Sequence, residues 1–169
     1  MVPVVVALGS NVGDSLQNLR VATERLREAL VNLAASPIYQ TAPMYLQDQP
    51  PFLNAAVAGE TELGPLELLN NLKRIEAEIG RQTRIRNGPR EIDLDLVAYG
   101  SLAYRGPRLQ VPHPKTPERR FVLLPMSHVA PRLRLATMGT VEELLAQTQD
   151  QAEDVVPIED ALLPISGYR

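Results

Sequence analysis

The sequence contains no cysteine, which excludes disulfides, thiolate metal sites and cysteine nucleophiles. Tryptophan is also absent, and aromatic residues make up only 4% of the chain. No run of about eighteen apolar residues occurs, so no transmembrane helix is expected. The apolar start of the chain is short and lacks a basic region, so we do not expect a signal peptide. These absences favour a cytoplasmic protein that does not act at a membrane.

The composition is typical of a globular domain with a hydrophobic core. Of the 169 residues, 44% are apolar and 22% are charged. No linker, internal repeat or low-complexity segment divides the sequence, so we expect a single domain over residues 1–169. The net charge is −3, yet residues 81–120 carry nine of the seventeen Lys and Arg residues. This local positive charge in an acidic chain indicates a small anionic ligand rather than nucleic acid.

The hydrophobic pattern predicts the order β-α-β-β-α-β followed by a C-terminal extension. The predicted elements are a strand at 2–8, a helix capped at Asp14 or Ser15 that continues to 34, extended residues 36–45, a strand at 52–61, a helix at 66–80 and a strand at 88–100. Beyond them we expect a short strand pair within 101–110, a short apolar element at 121–131 and a helix at 140–149. This order is typical of the ferredoxin-like fold, an α+β architecture with helices packed on an antiparallel sheet.

The segment GPREIDLDLVAYG, residues 88–100, places two acidic side chains on one face of a predicted strand. Ile92 and Leu94 alternate with Asp93 and Asp95, and alternate residues of a strand share a face. Two neighbouring carboxylates can bind Mg²⁺, which is usually shared with the phosphates of a substrate. The same pattern also fits a solvated strand face with incidental acids.

Arginines precede the acid pair in a loop that suits phosphate binding. The segment GRQTRIRNGPR holds four arginines in eleven residues, and arginine neutralises and positions phosphates. A second basic loop, VPHPKTPERR, contains His113, whose pKa should be lowered by the cations around it, so we expect a neutral donor to phosphate. No Walker-type P-loop or G-x-S-x-G motif is present. Acids beside arginines therefore favour phosphoryl transfer.

The two phenylalanines suggest a second binding feature. Phe52 opens a predicted strand, and Phe121 follows the second basic loop. Core packing is the simplest role for each, but the pair could also enclose a flat ring. Asn54 would lie on the same strand face as Phe52 and could hydrogen-bond to the edge of that ring.

Four blocks of sequence, in order, resemble the 6-hydroxymethyl-7,8-dihydropterin pyrophosphokinase family of folate biosynthesis. The blocks are ALGSNVGD, YQTAPMYLQDQPPFLNAAV, GRQTRIRNGPREIDLDLVAYG and VPHPKTPERRFVLLPM, and the similarity runs from about residue 4 to residue 133. The resemblance implies transfer of pyrophosphate from ATP to the hydroxymethyl group of the dihydropterin, with release of AMP. It implies ATP as co-substrate, two Mg²⁺ ions and small-molecule substrates only, and we expect a monomer.

The resemblance also implies roles for the residues at matching positions. Asp93 and Asp95 would hold the metal ions, and Arg81 and Arg90 would act with them in catalysis. The positions implied for ATP binding are Arg81, Arg84, Arg90, Arg108, His113 and Arg119. The positions implied for pterin binding are Asn11, Thr41, Ala42, Pro43, Met44, Phe52, Asn54 and Phe121. Glu76 matches a supporting acid on a helix.

Two other functional classes fit the residues. A metal-dependent nucleotidyltransferase or phosphodiesterase could use the same acid pair, but it would not produce AMP together with a diphosphorylated product. A non-enzymatic ferredoxin-like module could bind a nucleotide or RNA, but it would need exposed aromatic residues on its sheet. Whether the activity depends on a pterin ring distinguishes the three classes.

Overall fold

The computed structural model describes residues 1–82 and 86–163. The strands are β1 Val2–Ser10, β2 Val31–Ala35, β3 Pro37–Thr41, β4 Phe52–Thr61, β5 Asp93–Tyr99, β6 Tyr104–Arg105, β7 Gln110–Val111 and β8 Val155–Ala161. The helices are α1 Ser15–Leu26, α2 Pro65–Ile79, α3 Arg120–Val129 and α4 Val141–Ala146. None of the helices in these two stretches combines the length and the apolar character needed to cross a bilayer.

Six strands form one antiparallel sheet in the order β5-β1-β4-β3-β8, with β2 also paired to β4. β2 and β3 follow one another along the chain and together occupy the position of one strand beside β4. The sheet without β8 therefore has the ferredoxin-like arrangement, and the predicted α+β fold class is confirmed. β6 and β7 form a separate two-stranded ribbon, as predicted.

Helices cover both faces of the sheet. α1 and α2 pack on one face, where Ile75 of α2 and Leu94 of β5 are buried in the same apolar cluster. α3 and α4 pack on the opposite face, where Met126 is fully buried. Because Leu94 points to the first face, Asp93 and Asp95 project from the second, as the period-two pattern predicts.

Local signals set the ends of the first two helices. The Asp14 side chain caps α1 by accepting a hydrogen bond from the Gln17 N–H at 3.1 Å. Pro65 begins α2, and Gly80 ends it with φ 108°, a left-handed conformation that glycine adopts without strain. The predicted start of α1 and both predicted ends of α2 are confirmed.

Three predictions about elements were wrong or incomplete. The first helix ends at Leu26, and residues 31–35 form β2 instead, because pairing with β4 outweighs an apolar spacing that fits either a helix or a strand. The predicted strand at 88–100 begins only at Asp93, since the Arg90 backbone bonds to Asn11 rather than to a strand. The C-terminal extension, for which we predicted no element beyond residue 149, contains β8, which pairs with β3.

Candidate active site

A pocket lies on the α3 face of the sheet, where the ends of four strands meet. The C-terminal ends of β1 and β3 reach this edge together with the N-terminal ends of β4 and β5, because neighbouring strands are antiparallel. The start of α3 closes one side of the pocket. The predicted site residues that line it are Thr41, Ala42, Met44, Phe52, Asn54, Arg81, Arg90, Asp93, Asp95, Arg119 and Phe121.

A second pocket adjoins the first. The two share a wall that includes Asp95 and Arg119. The second pocket is lined by apolar residues that include Leu69, Leu96 and Leu109. Its lining also includes Lys73, Arg108 and His113. Asp95 and Arg119 thus lie where the first pocket, which has aromatic lining residues, meets the second pocket, which has cationic lining residues.

The two aspartates form a crowded acidic pair at this junction. Burial raises the pKa of the Asp95 carboxyl well above its usual range, and the neighbouring Asp93 carboxylate raises this pKa further. The Asp95 side chain is open to the pocket, but the protein atoms of the concave wall replace much of the water around it. A bound cation would relieve the repulsion between the two carboxylates.

The acid pair fits a magnesium ion that is shared with substrate phosphates. Within residues 1–82 and 86–163, no group of three or more His, Cys, Asp or Glu side chains is placed to hold a metal ion. Mg²⁺, however, commonly takes only one or two carboxylates from the protein and completes its shell with water and phosphate oxygens. The donor set of Asp93 and Asp95, beside cationic walls, matches that chemistry.

Glu76 holds the first arginine of the predicted phosphate loop. Arg81 Nη1 donates to Glu76 Oε2 at 2.7 Å and to Asp93 Oδ1 at 3.0 Å. Glu76 Oε2 also accepts a hydrogen bond from the Leu94 N–H at 2.8 Å, and Lys73 Nζ lies 3.3 Å from Glu76 Oε1. Because Glu76 is only 3% exposed, these partners take the place of the water that its carboxylate lacks. The sequence prediction of a supporting role agrees with this position.

The aromatic pocket contains two buried acceptors with unused hydrogen-bonding capacity. Asn54 Nδ2 donates weakly to the Leu8 carbonyl at 3.4 Å. Asn54 Oδ1 and Thr41 Oγ1 are buried, and neither atom has a partner among the described residues. Unpaired buried polar atoms are costly, so a pocket that retains them is suited to a polar ligand.

Arg119 connects the aromatic residues of the pocket. Its guanidinium lies 5.7 Å from the centroid of the Phe121 ring and 5.2 Å from that of Tyr45. Arg119 Nε also donates to the Tyr45 hydroxyl at 2.9 Å. Sequence reasoning missed Tyr45, which lies in the loop after β3 and carried no local signal for this contact.

Asn11 lies behind the pocket wall and joins three loops. Its Oδ1 accepts a hydrogen bond from the Arg90 N–H at 2.8 Å, and its Nδ2 donates to the Gln49 Oε1 at 3.0 Å. Gln49 Nε2 in turn donates to the Asn87 carbonyl at 2.9 Å. Gln49 lines the pocket and was not predicted from the sequence. The predicted contact Asn11 therefore acts on the pocket through its neighbours.

Three other predicted residues have distinct positions. Pro43 stands in the loop between the lining residues Ala42 and Met44. The guanidinium of Arg90 turns back on its own loop, where Nη1 donates to the Gly88 and Pro89 carbonyls at 3.1 and 2.9 Å. Arg84 lies outside the described residues.

The pKa of His113 is lowered, in the direction expected from the sequence. Its pKa is lowered by burial and then by the positive charges of Arg119, Lys115 and Arg86. Its Nδ1 accepts a hydrogen bond from the Lys115 N–H at 3.1 Å, which leaves Nε2 as the natural donor of the neutral ring.

Comparison with known proteins identifies one family. The model of the family described as 7,8-dihydro-6-hydroxymethylpterin-pyrophosphokinase (HPPK) matches residues 5–131. A mitochondrial folate synthesis bifunctional protein of Pisum sativum is 50% identical over 124 residues, which cover 73% of this chain and 24% of that protein. A 2-amino-4-hydroxy-6-hydroxymethyldihydropteridine pyrophosphokinase of Pseudomonas aeruginosa is 43% identical over 146 residues, 85% of this chain and 90% of that protein.

Solved structures share the fold. A crystal structure of Plasmodium falciparum HPPK-DHPS with pteroate superimposes with a TM-score of 0.69 at 16% identity, covering 86% of this chain and 42% of that one. This chain therefore spans about a quarter of the plant relative and less than half of the parasite protein.

Proposed function

The chain belongs to the 7,8-dihydro-6-hydroxymethylpterin-pyrophosphokinase family, whose model matches residues 5–131, and we propose that it carries out that family's reaction. The family that the four sequence blocks predict is thereby confirmed. In the proposed reaction, the hydroxymethyl oxygen of 6-hydroxymethyl-7,8-dihydropterin attacks the β-phosphorus of ATP. The bond from that phosphorus to the α,β-bridging oxygen breaks, AMP leaves with that oxygen, and the proton of the hydroxyl is released to solvent.

The meeting of two unlike pockets at Asp95 and Arg119 is the observation that carries this proposal. One pocket has aromatic walls and unpaired buried acceptors, which suits a flat heterocycle with polar edges. The other combines apolar lining residues with cations, which suits the base and phosphates of a nucleotide. Two substrates bound there would have their reacting ends at the shared wall.

We assign the acid pair to magnesium and propose two ions, which is the number that the family resemblance implies. Asp93 and Asp95 would be the protein ligands. When bound there, Mg²⁺ would supply positive charge that neutralises the phosphates of ATP. Glu76 would keep Arg81 beside this pair, so that the arginine faces the charge that develops on the transferred group.

The cations of the second pocket are proposed to bind ATP. His113 would donate from its neutral ring, and Arg108 and Arg119 would contact phosphate oxygens or the nucleotide. Arg90 would leave the carbonyls of its own loop to reach the phosphates. The same role for Arg84 follows from the resemblance alone.

The pterin is proposed to lie between Phe52 and Phe121. Asn54 Oδ1 and Thr41 Oγ1 would accept hydrogen bonds from the amino and ring N–H groups of the pterin. Backbone groups of residues 42–44 would read the rest of its edge. Such pairing would satisfy the buried atoms and discriminate against rings that lack those donors.

The remaining assignments are proposals from the sequence. We propose that residues 1–169 form one domain, that the protein acts as a monomer on small molecules, and that it works in the cytoplasm. The pea relative is named as a mitochondrial protein.

A product assay with MgATP tests the function. We expect AMP to form only when the dihydropterin is present, in an amount equal to the pterin diphosphate. Three results would contradict the proposal: formation of ADP, release of free pyrophosphate, or formation of AMP at the same rate without the dihydropterin. They would favour the nucleotidyltransferase or phosphodiesterase class.

A further inference from the structure

The segment 148–155 lies directly behind the wall of the first pocket, although the family match ends at residue 131. Its last residue, Val155, begins β8 and pairs with Thr41 of β3. The Asp154 carbonyl accepts a hydrogen bond from the Ala42 N–H at 2.9 Å. Thr41 and Ala42 both line the pocket. The segment is therefore part of the support on which the pocket is built.

The helix that closes the pocket has no cap of its own. The N-cap residue of α3 is Arg119, whose side chain makes no capping hydrogen bond. The first N–H groups of a helix have no partner within the helix and need an acceptor from elsewhere. A guanidinium offers donors only, and that of Arg119 is turned toward Tyr45.

Gln151 provides the acceptor from the C-terminal segment. Its Oε1 accepts a hydrogen bond from the Arg120 N–H, the first N–H of α3, at 3.1 Å. Its Nε2 donates to the Glu118 carbonyl at 2.7 Å. One side-chain amide thus binds the backbone on both sides of Arg119.

The backbone held by Gln151 directs consecutive side chains to opposite sides. Arg119 and Phe121 line the first pocket. Arg120 points away from it, and its Nη1 donates to Thr148 Oγ1 at 3.3 Å. The Gln151 N–H donates to the Thr148 carbonyl at 3.0 Å, so the two anchoring residues belong to one turn.

We propose that Gln151 is a positioning residue for the reaction, which caps α3 from outside the family-matched region and thereby sets the direction of Arg119 and Phe121. The identity of the substrates in this inference rests on the proposed function, whereas the cap rests on the hydrogen bonds alone. Without the amide, the Arg120 N–H and the Glu118 carbonyl lose their partner, and the backbone that carries the Arg119 and Phe121 side chains is held less firmly.

Steady-state kinetics of full-length variants test the inference. Gln151→Ala should raise KM for both MgATP and the dihydropterin by about fivefold, the factor that corresponds to the roughly 1 kcal/mol by which the loss of a helix cap destabilises a helix. Gln151→Glu keeps the acceptor for the Arg120 N–H and should restore part of the loss. Two control variants should leave both KM values unchanged. Arg20→Ala removes a bond to the Ala161 carbonyl at the far end of β8, and Gln149→Ala truncates an exposed side chain of the same segment.

Amide hydrogen exchange of the substrate-free protein gives a second readout that does not depend on activity. Gln151→Ala should speed exchange in peptides that cover residues 119–123, and the two controls should not. If Gln151→Ala changes neither the exchange rates nor the KM values, the inference is overturned. It is also overturned if Arg20→Ala raises KM as much as Gln151→Ala does. If the wild-type protein does not turn over the dihydropterin, the proposed function fails, and the exchange rates still decide whether Gln151 caps α3.

Discussion

Glu76 and Arg81 form an ion pair, with Arg81 Nη1 2.7 Å from Glu76 Oε2, and Arg81 lines the first pocket. The same glutamate oxygen accepts the Leu94 N–H, so it also fixes the strand that carries the two aspartates. A single buried carboxylate on α2 therefore sets the position of an arginine and of the acid pair relative to one another.

Replacement of this carboxylate should slow the reaction without abolishing it. Glu76→Gln keeps an acceptor for the Leu94 N–H but removes the charge that holds Arg81, so kcat should fall by about ten- to a hundredfold, as for other outer-shell partners. The matched control is Glu78→Gln on the same helix, which loses only surface pairs such as that with Arg74 at 2.9 Å. If kcat falls equally in Glu76→Gln and Glu78→Gln, the catalytic position of Arg81 does not depend on Glu76.

Asp95→Asn should separate activity from stability. Loss of one of two proposed metal ligands should lower the rate of AMP formation by about a hundredfold or more. In the presence of a chelator, the same variant should melt at a higher temperature than the wild type at pH 7, because it removes a carboxylate whose pKa is raised by burial and by Asp93.

The sign of this stability effect follows from proton binding. A carboxyl with a raised pKa in the folded protein favours folding below its unfolded pKa and loses that contribution as the pH rises. The melting temperatures of the wild type and Asp95→Asn should therefore converge near pH 4 and diverge toward pH 7. Near-normal turnover in a folded Asp95→Asn protein would contradict the metal assignment.

Asn54→Ala should weaken pterin binding selectively. The variant removes a buried acceptor that has no partner among the described residues, and the dissociation constant for the dihydropterin should rise about tenfold or more. Calorimetric titration with a non-hydrolysable MgATP analogue should give an unchanged affinity. Asn71→Ala, on the outer side of α2, controls for the loss of an amide. An equal loss of nucleotide affinity would place Asn54 in the support of both pockets instead.

His113 should make folding stability depend on pH. Because its pKa is lowered in the folded protein, the unfolded chain binds a proton more readily, and stability is lost as the pH falls below about 6.5. Urea unfolding of the wild type and His113→Asn between pH 7.5 and pH 5 measures this contribution. The variant should lose less stability over this interval, and parallel curves would contradict the lowered pKa of His113 in the folded protein.

Local patterns were sufficient to predict much of the fold. The turn residues Gly64 and Gly80 mark the ends of α2, and the alternation around Asp93 and Asp95 places both on one face of β5. β8 escaped prediction because it contains Pro157 and acidic residues that are rare in strands, and only the free edge of β3 makes it a strand.

Contacts between distant segments explain what the sequence could not indicate about the site. Gln49, Tyr45 and Gln151 act on partners that are 38, 74 and 31 residues away along the chain. No spacing rule connects such pairs, so their roles depend on the folded loops. The acid pair, in contrast, is encoded within three consecutive residues.

Transfer of label from ATP tests the central claim most directly. The protein would be incubated with the dihydropterin and with ATP labelled with ³²P at either the β- or the γ-phosphorus, and the pterin product would then be isolated. The account predicts that both labels reach the pterin in equal amount, because the β- and γ-phosphoryl groups move together. Transfer of the γ-label alone would identify an ordinary phosphokinase, and transfer of neither would contradict the assignment of the aromatic pocket to the acceptor.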